Sequence, residues 1–253
     1  MAQKKTKLHR SFGTQAPADR LFDIFNYLVL GLVAVCVLYP LYFIVIASVS
    51  DPVAINNGQV AFWPVGFNTT GYEKIFENTK IWRSYSNTIF YTVVGTTINV
   101  ILTMMLAYPL SRKNFFARKP LTLFVMFTMY FQGGLIPTYL WMNDLHLYNT
   151  PWVMVLLPAI NVFNLIIAIN YISNSIPEEL YEAASIDGCS HIRYFFSIVL
   201  PLLMTIVVML VLYYGIAHWN EFMHGLHHLR DEALYPMQLT PLHTLPQTQA
   251  FGP

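Results

Sequence analysis

The chain has 253 residues, of which 55% are hydrophobic and only 11% charged, and its formal net charge is +1. About a quarter of the residues in an average soluble domain are charged, so this composition argues against a soluble globular protein. A net charge so close to zero gives no reason to expect a nucleic acid partner.

Five long segments of the chain contain no Asp, Glu, Lys or Arg. Each is longer than the roughly 20 residues that a helix needs to cross the hydrocarbon core of a bilayer. Because the backbone inside lipid must satisfy its own hydrogen bonds, each segment is predicted to be helical. The segments are Ile24–Ser50, Ser84–Ser111, Pro120–Asn143, Leu145–Ser175 and Tyr194–Asn220. The sequence therefore predicts an all-α, polytopic membrane protein with five transmembrane helices.

The distribution of basic residues predicts which loops face the cytoplasm. The N-terminal tail and the loops that follow the second and fourth spans contain 10 of the 14 Lys and Arg residues. Loops rich in Lys and Arg are retained in the cytoplasm. We therefore expect a multi-pass protein of the bacterial plasma membrane with its N-terminus inside.

The predicted elements follow one another simply. A cytoplasmic tail, 1–20, leads into a first span within 21–48, an external loop, 49–84, and a core, 85–239. The later spans cover about Asn87–Leu110, Leu121–Tyr139, Pro151–Ile172 and Ile198–Ala217. Helix breakers lie inside several spans, namely Pro40, Pro109, Gly133-Gly134 with Pro137, and Pro158. They fit either ordinary packing of membrane helices or hinges for a pathway that opens alternately to each side.

The cytoplasmic loop 173–201 contains the signals of a short helix. Ser175 is placed to act as its N-cap, with Pro177 at an early helical position and Glu178 placed to close a capping box. Gly188 follows Asp187 and predicts the end of this helix, because glycine accepts the left-handed backbone that a helix end requires.

A second short helix is predicted from Ser190 to about Ser197, so that the loop forms a bent helix–Gly–helix. The first helix would present three small residues beside carboxylates, Ala183, Ala184 and Ser185. Small side chains allow the backbone of another protein to approach closely, and a carboxylate there can pair with an arginine of that protein. An ordinary solvated hairpin that only links two spans is the alternative.

This loop resembles the EAA loop of binding-protein-dependent importer permeases. The family pattern is E-A-A-x-x-x-G, nine residues, then I-x-L-P, and every fixed position is filled. The matching residues are Glu182-Ala183-Ala184, Gly188 and Ile198-Val199-Leu200-Pro201. The resemblance implies the type I fold of ABC importer permeases.

The resemblance also implies partners. In this family the loop docks into a cleft on a cytoplasmic ATPase, and the residues expected to dock here are Glu182, Ala183, Ala184, Asp187, Gly188, Ile198, Leu200 and Pro201. The implied partners are a second permease subunit in a heterodimer, two ATPase subunits and an external sugar-binding protein. The chain has no Walker-type phosphate loop, so ATP is expected to bind to the partner. We therefore predict that the chain is not an enzyme and needs no cofactor.

Further motifs resemble the carbohydrate-uptake branch, especially permeases of complex-oligosaccharide importers of Gram-positive bacteria and, in part, the maltose-type subunit. They include Asn87-Thr88, the segment from Ala107 to Arg112, the segment from Gly133 to Tyr139, and His218-Trp219-Asn220. The resemblance predicts a sugar or oligosaccharide substrate. A permease of the same superfamily for a peptide, amino acid or phosphate remains open. A proton-coupled transporter is disfavoured, because the spans contain no acidic or basic residue for an ion path.

A sugar pathway needs aromatic rings and amide or hydroxyl groups. The candidates are Asn161, Phe163 and Asn164 in the fourth span and Tyr213, Trp219 and Asn220 around the fifth. Hydrogen bonding between helices and an aromatic belt at the membrane surface explain the same residues. The nearby histidines His224, His227 and His228 could bind a metal, but a solvated surface explains them better, and no metal site is predicted.

The resemblance implies a sixth span, which this sequence does not provide. The stretch Thr240–Pro253 contains three prolines in fourteen residues, so it cannot form a continuous spanning helix. We expect a truncation or frameshift near residue 240.

Overall fold

The computed structural model describes residues 17–240. Within this range the regular structure is helical, without a strand, so the predicted all-α fold class is confirmed. The chain divides into two compact units, which comprise residues 17–77 and 78–240 of the described range. The basic cluster from Lys4 to Arg10 and the atypical tail after Thr240 lie outside the described residues.

The first unit is built on α1 (Pro17–Ser48), a helix of 32 residues. Its long apolar segment exposes most of its side chains, which suits a helix surrounded by lipid. Two short helices follow, α2 (Pro52–Asn56) and α3 (Thr70–Glu77). The segment predicted as an external loop, 49–84, is therefore partly helical.

Tyrosine hydroxyls on α1 hold this segment in place. The hydroxyl of Tyr39 donates to the carbonyl of Ala61 at 3.1 Å, and that of Tyr42 donates to the carbonyl of Phe62. A small core forms beside them from Ile46, Ala54 and Val60. The residues that follow α1 therefore pack against its end.

The second unit is organised around α4 (Thr79–Ser111), which begins at the N-cap Asn78. The helices that follow are α5 (Arg118–Tyr130), α6 (Leu135–Asp144), α7 (Pro151–Leu156), α8 (Val162–Ser175) and α9 (Glu178–Ile186). Then come α10 (His191–Tyr194), a π-helical turn (Phe195–Val199), α11 (Leu200–Leu202), α12 (Met204–Trp219), α13 (Met223–His228) and a 3₁₀ turn (Glu232–Leu234). Helix α4 packs mainly against α12 and α8, and Leu110, Leu165, Tyr194 and Leu210 are completely buried in the core.

Three of the five predicted spans are interrupted, and two of the breaks lie at helix breakers singled out in the sequence, Gly133-Gly134 and Pro158. Among the described residues, α1 and α4 are long and apolar enough to cross a membrane, and up to four spans result if each bent pair counts as one. The third span bends by 116° between α5 and α6. The cause is local, because Gly134 has a φ of 83°, which only glycine adopts readily.

Proline accounts for the other two interruptions. In the fourth span α7 ends at Leu156 and α8 begins at Val162, with Pro158 in the gap. In the fifth span the axis turns by 79° where α11 meets α12, two residues after Pro201. Proline lacks the N–H that would continue the helical ladder, so the helix bends or ends beside it.

Candidate functional site

The loop 173–201 folds back onto the end of α4 through an ion pair that sequence reasoning missed. Ser175 is the last residue of α8, and α9 begins after Pro177 without any side-chain cap, so the predicted capping box does not form. The carboxylate of Glu178 instead accepts a hydrogen bond from the guanidinium of Arg112 at 2.8 Å. Both side chains are largely buried, with 14% and 28% of their surfaces exposed. Both partners of this bond are charged, whereas in the capping box only the carboxylate would be.

Arg112 also contacts the second turn of α9. Its guanidinium carbon lies 4.5 Å from the centre of the Tyr181 ring, which is a cation–π distance. The Tyr181 ring in turn stacks on His191 of α10, with 5.4 Å between ring centres. These groups line a cleft of about 360 Å³ together with Tyr108, Pro109, Asn114, Phe115 and Glu178. Arg112 therefore links the end of α4 directly to α9, and through the Tyr181 ring to α10.

The predicted end of α9 is confirmed. Gly188 has a φ of 75°, and the amide of Cys189 donates to the carbonyl of Ala184 at 2.9 Å. A Cβ atom at Gly188 would meet nothing within 4 Å, so the backbone conformation alone, and not crowding, requires glycine there.

The surface of α9 differs in part from the predicted one. Glu182, Ala183, Ser185 and Asp187 are exposed, as expected. Ala184 is only 9% exposed and packs into the core, which makes it a contact within this chain. Ile186 was not singled out from the sequence, yet it is 87% exposed and lies one helical turn after Glu182. Ile186 therefore adds one apolar side chain to the exposed surface of α9.

The second half of the motif builds the bend into the fifth span. Val199 is completely buried, and Ile198 and Leu200 pack against the same core. They lie at the junction of the π-helical turn and α11, where Pro201 interrupts the helix. The structure therefore exposes Glu182 and Ala183 of the motif, while Ile198 and Leu200 pack against the core and Pro201 is exposed.

The candidate pathway residues separate into two groups. Asn161 caps α8 by accepting from the amide of Asn164 at 3.1 Å, and Asn164 is buried. Phe163, Tyr213, Trp219 and Asn220 are exposed; the Trp219 ring packs edge-on against Tyr85, with 6.0 Å between ring centres, and the amide of Asn220 donates to the carbonyl of Ile216. The side chain of Asn161 therefore has a clear structural role, and the structure does not bring the six candidates together as one site.

A polar network surrounds the break in the fourth span. The hydroxyl of Tyr214 contacts that of Thr103 at 2.7 Å and accepts from the amide of Asn161 at 3.1 Å. The side-chain amide of Asn99 donates to the carbonyl of Pro158 at 3.1 Å. Side chains of α4 and α12 thus satisfy backbone groups that the broken helix leaves free, as a membrane interior requires.

The same network includes a histidine on α12. The side-chain amide nitrogen of Asn99 lies 3.0 Å from Nε2 of His218. A small cavity of about 70 Å³ opens there, lined by Asn99, Pro158, Asn161, Asn164, Tyr214, Ala217, His218 and Glu221. The sequence carries a signal for this site, namely a polar stripe along α4 at helical spacing, formed by Thr88, Thr92, Thr96, Asn99 and Thr103.

The histidines after α12 are held by local hydrogen bonds. Glu221 accepts from the amide of His224 at 3.0 Å and lies 3.1 Å from its Nδ1. Burial acts to raise the pKa of Glu221, but the hydrogen bonds from His224 hold that pKa below its usual value. His228 is buried, which lowers its pKa. Within residues 17–240, no three His, Cys, Asp or Glu side chains lie close enough together to hold a metal ion.

Comparison with known proteins agrees with this geometry. Residues 13–228 match the family described as the inner membrane component of binding-protein-dependent transport systems, and the chain belongs to this family. It is 37% identical over 233 residues to protein LplC of Bacillus subtilis, which covers 92% of this chain and 78% of LplC. It is also 37% identical over 221 residues to the polygalacturonan/rhamnogalacturonan transport system permease protein YtcP of the same organism, covering 87% and 77%.

A solved structure has the same fold. The chain matches a bacterial ABC transporter involved in the import of the acidic polysaccharide alginate, with a TM-score of 0.88 and 32% identity. The match covers 92% of this chain and 83% of that one. The resemblance stated from the loop motif is thereby confirmed, and so is the predicted importer permease fold.

Proposed function

We propose that this chain is the permease subunit of an ATP-driven importer and forms part of the membrane pathway for an oligosaccharide. The relatives support the substrate class, since YtcP is named for polygalacturonan and rhamnogalacturonan and the similar structure for alginate. The proposed assembly contains a second permease subunit, two cytoplasmic ATPase subunits that bind the ATP, and an external sugar-binding protein. The N-terminus and the loop that contains α9 face the cytoplasm.

The main support for this proposal is that α9 exposes one face and is joined to α4 by an ion pair. Glu182, Ala183 and Ile186 are exposed on α9, where an ATPase can bind them. The ion pair between Arg112 and Glu178 ties the same helix to the end of α4. Movement of a bound ATPase would therefore displace α4 and not only the loop.

Helix α4 then connects the loop to the break in the fourth span. Asn99 holds the carbonyl of Pro158, and Thr103 holds Tyr214 of α12. Because α4 is a single helix from Thr79 to Ser111, a tilt at its cytoplasmic end reaches both contacts. This is a physical route by which ATP-driven closure of the ATPases opens the pathway to the other side.

The test uses the surface of α9. Ile186→Asp should leave the fold unchanged, because the side chain is 87% exposed, but should weaken ATPase binding and reduce uptake more than tenfold. Ser185→Asp is the matched control for an added charge on the same helix, with a smaller effect expected because serine buries little apolar surface in an interface. Normal ATPase co-purification and normal uptake with Ile186→Asp would contradict the docking role.

The substrate class needs a separate measurement. A strain without this gene should lose uptake of labelled galacturonate oligosaccharides or related sugars and regain it when the gene is restored. Amino acid and phosphate uptake in the same strain should not change. Lost peptide uptake with unchanged sugar uptake would identify the chain as a permease for a non-sugar solute.

A further inference from the structure

An open cavity of about 700 Å³ lies between the end of α4 and the start of α5, next to the cleft at Arg112 and Tyr181, with which it shares Asn114 and Phe115. It is lined by Lys113, Asn114, Phe115, Phe116, Arg118, Lys119, Thr122 and Leu123. Three of these residues are cationic and none is acidic. The cavity therefore has the charge of an anion site.

The neighbouring Arg112 forms an ion pair with Glu178, and these three cations do not. Lys113, Arg118 and Lys119 form no ion pair with any carboxylate of residues 17–240. Two of them, Arg118 and Lys119, occupy the first turn of α5, a helix of 13 residues. Its N-cap, Ala117, offers no side-chain acceptor, and the first turn has no acidic residue.

This arrangement has an electrostatic cost in the absence of a ligand. A helix N-terminus carries a partial positive charge, so cationic side chains there are repelled by the helix dipole as well as by one another. An anion bound among them would offset both the repulsion by the helix dipole and the repulsion among the cations. This charge pattern therefore favours binding of an anion.

The apolar part of the lining specifies what kind of anion fits. Phe116 is 93% exposed and lies in sequence between Lys113 and Arg118. Leu123, on the first apolar turns of α5, is 67% exposed. Cations beside exposed aromatic and aliphatic side chains match a charged headgroup joined to acyl chains, and a free phosphate would use only the cations. Aromatic residues of membrane proteins are also enriched at the headgroup level.

We propose that this cavity is a binding site for an anionic phospholipid, whose headgroup contacts Lys113, Arg118 and Lys119 while its glycerol and upper acyl chains pack on Phe116 and Leu123. The inference rests on the placement of α4 and α5 in the membrane and does not depend on which sugar is transported. A lipid bound there would hold the loop between α4 and α5 at the membrane surface, directly after the Arg112 anchor.

The test measures lipid retention by the assembled importer. Native mass spectrometry would compare wild type with the triple variant Lys113→Gln, Arg118→Gln, Lys119→Gln, each titrated with phosphatidylglycerol and with phosphatidylcholine. Each basic residue near an anionic lipid contributes roughly fivefold to binding, so the triple variant should lower the preference for phosphatidylglycerol more than about tenfold. A matched control, Lys74→Gln, Lys80→Gln, Arg83→Gln, removes the same charge elsewhere and should leave that preference unchanged.

A second variant separates the two parts of the site. Phe116→Ala keeps every charge and alters a side chain that is almost fully exposed, so it should weaken lipid retention without unfolding the protein. Equal retention of both lipids by wild type would overturn the proposal. So would displacement of phosphatidylglycerol by millimolar inorganic phosphate, which would indicate a free-anion site. Loss of the ATPase subunits from the triple variant with unchanged lipid retention would show a protein contact instead, and would likewise overturn it.

Discussion

Arg112 and Glu178 lie 66 positions apart in the chain, yet their charged groups meet at 2.8 Å where α9 joins α4, the longest helix of the second unit. The two residues are the C-cap of α4 and the first residue of α9. This contact fixes the start of α9 to the end of α4.

Breaking this pair should uncouple ATP hydrolysis from uptake. Arg112→Gln leaves the partly buried Glu178 carboxylate without its partner, at a cost of about 1–3 kcal/mol. We expect uptake to fall more than tenfold, while the ATPase subunits still bind. Paired measurements of uptake and ATP hydrolysis in proteoliposomes would show it.

The pair offers its own controls. The exchange Arg112→Glu with Glu178→Arg should recover part of the uptake, because it restores opposite charges. Lys80→Gln removes the exposed ion pair with Glu232 and should have little effect, since exposed pairs contribute little. If the exchange variant transports no better than either single variant, the pair does not transmit movement.

Gly188 should tolerate asparagine but not valine. At a φ of 75° a β-branched residue is strained by about 1–2 kcal/mol or more, whereas asparagine adopts this conformation more readily. Gly188→Val is expected to loosen ATPase binding severalfold and Gly188→Asn to retain most of it. Co-purification of the ATPase with each variant tests this, and equal losses for both would count against the backbone explanation.

Two glycines at the contact between α4 and α12 should respond differently to alanine. A Cβ on Gly95 would lie 2.5 Å from the His218 ring, whereas one on Gly215 would approach only Thr96 Oγ1 at 3.8 Å. Overpacking costs about 1–3 kcal/mol, so Gly95→Ala should lower Tm by roughly 3–10 °C. Gly215→Ala should change Tm by no more than about 2 °C. Thermal unfolding of both variants in the same detergent would check the difference.

The proposed orientation predicts opposite labelling of two exposed positions. Phe116→Cys should resist an impermeant thiol reagent in intact cells, and Trp63→Cys should react quickly, because the first is predicted inside and the second outside. Both native cysteines, Cys36 and Cys189, are free and must first be replaced by alanine. Fast labelling of Phe116→Cys in intact cells would reverse the topology.

Local signals in the sequence predicted α9 itself better than its contact with α4. The motif around Glu182 and the stop at Gly188 depend on neighbouring residues, so they could be read in order along the chain. The ion pair with Arg112 and the bond from Asn99 to Pro158 join distant segments, and single-sequence patterns do not encode such pairs. Proline and glycine marked the interrupted spans, but whether a helix bends or ends there depends on which side chains satisfy its backbone.

The amide of Asn161 has an unusual position in the hydrogen-bond scheme, since it donates to a side-chain hydroxyl, that of Tyr214, at the start of α8. Its proton is therefore protected only while α8 and α12 keep their relative positions. The rate at which this backbone hydrogen exchanges for deuterium therefore measures how often the two helices separate. The break in the fourth span thus provides one amide whose exchange rate tests whether α8 and α12 move apart during transport.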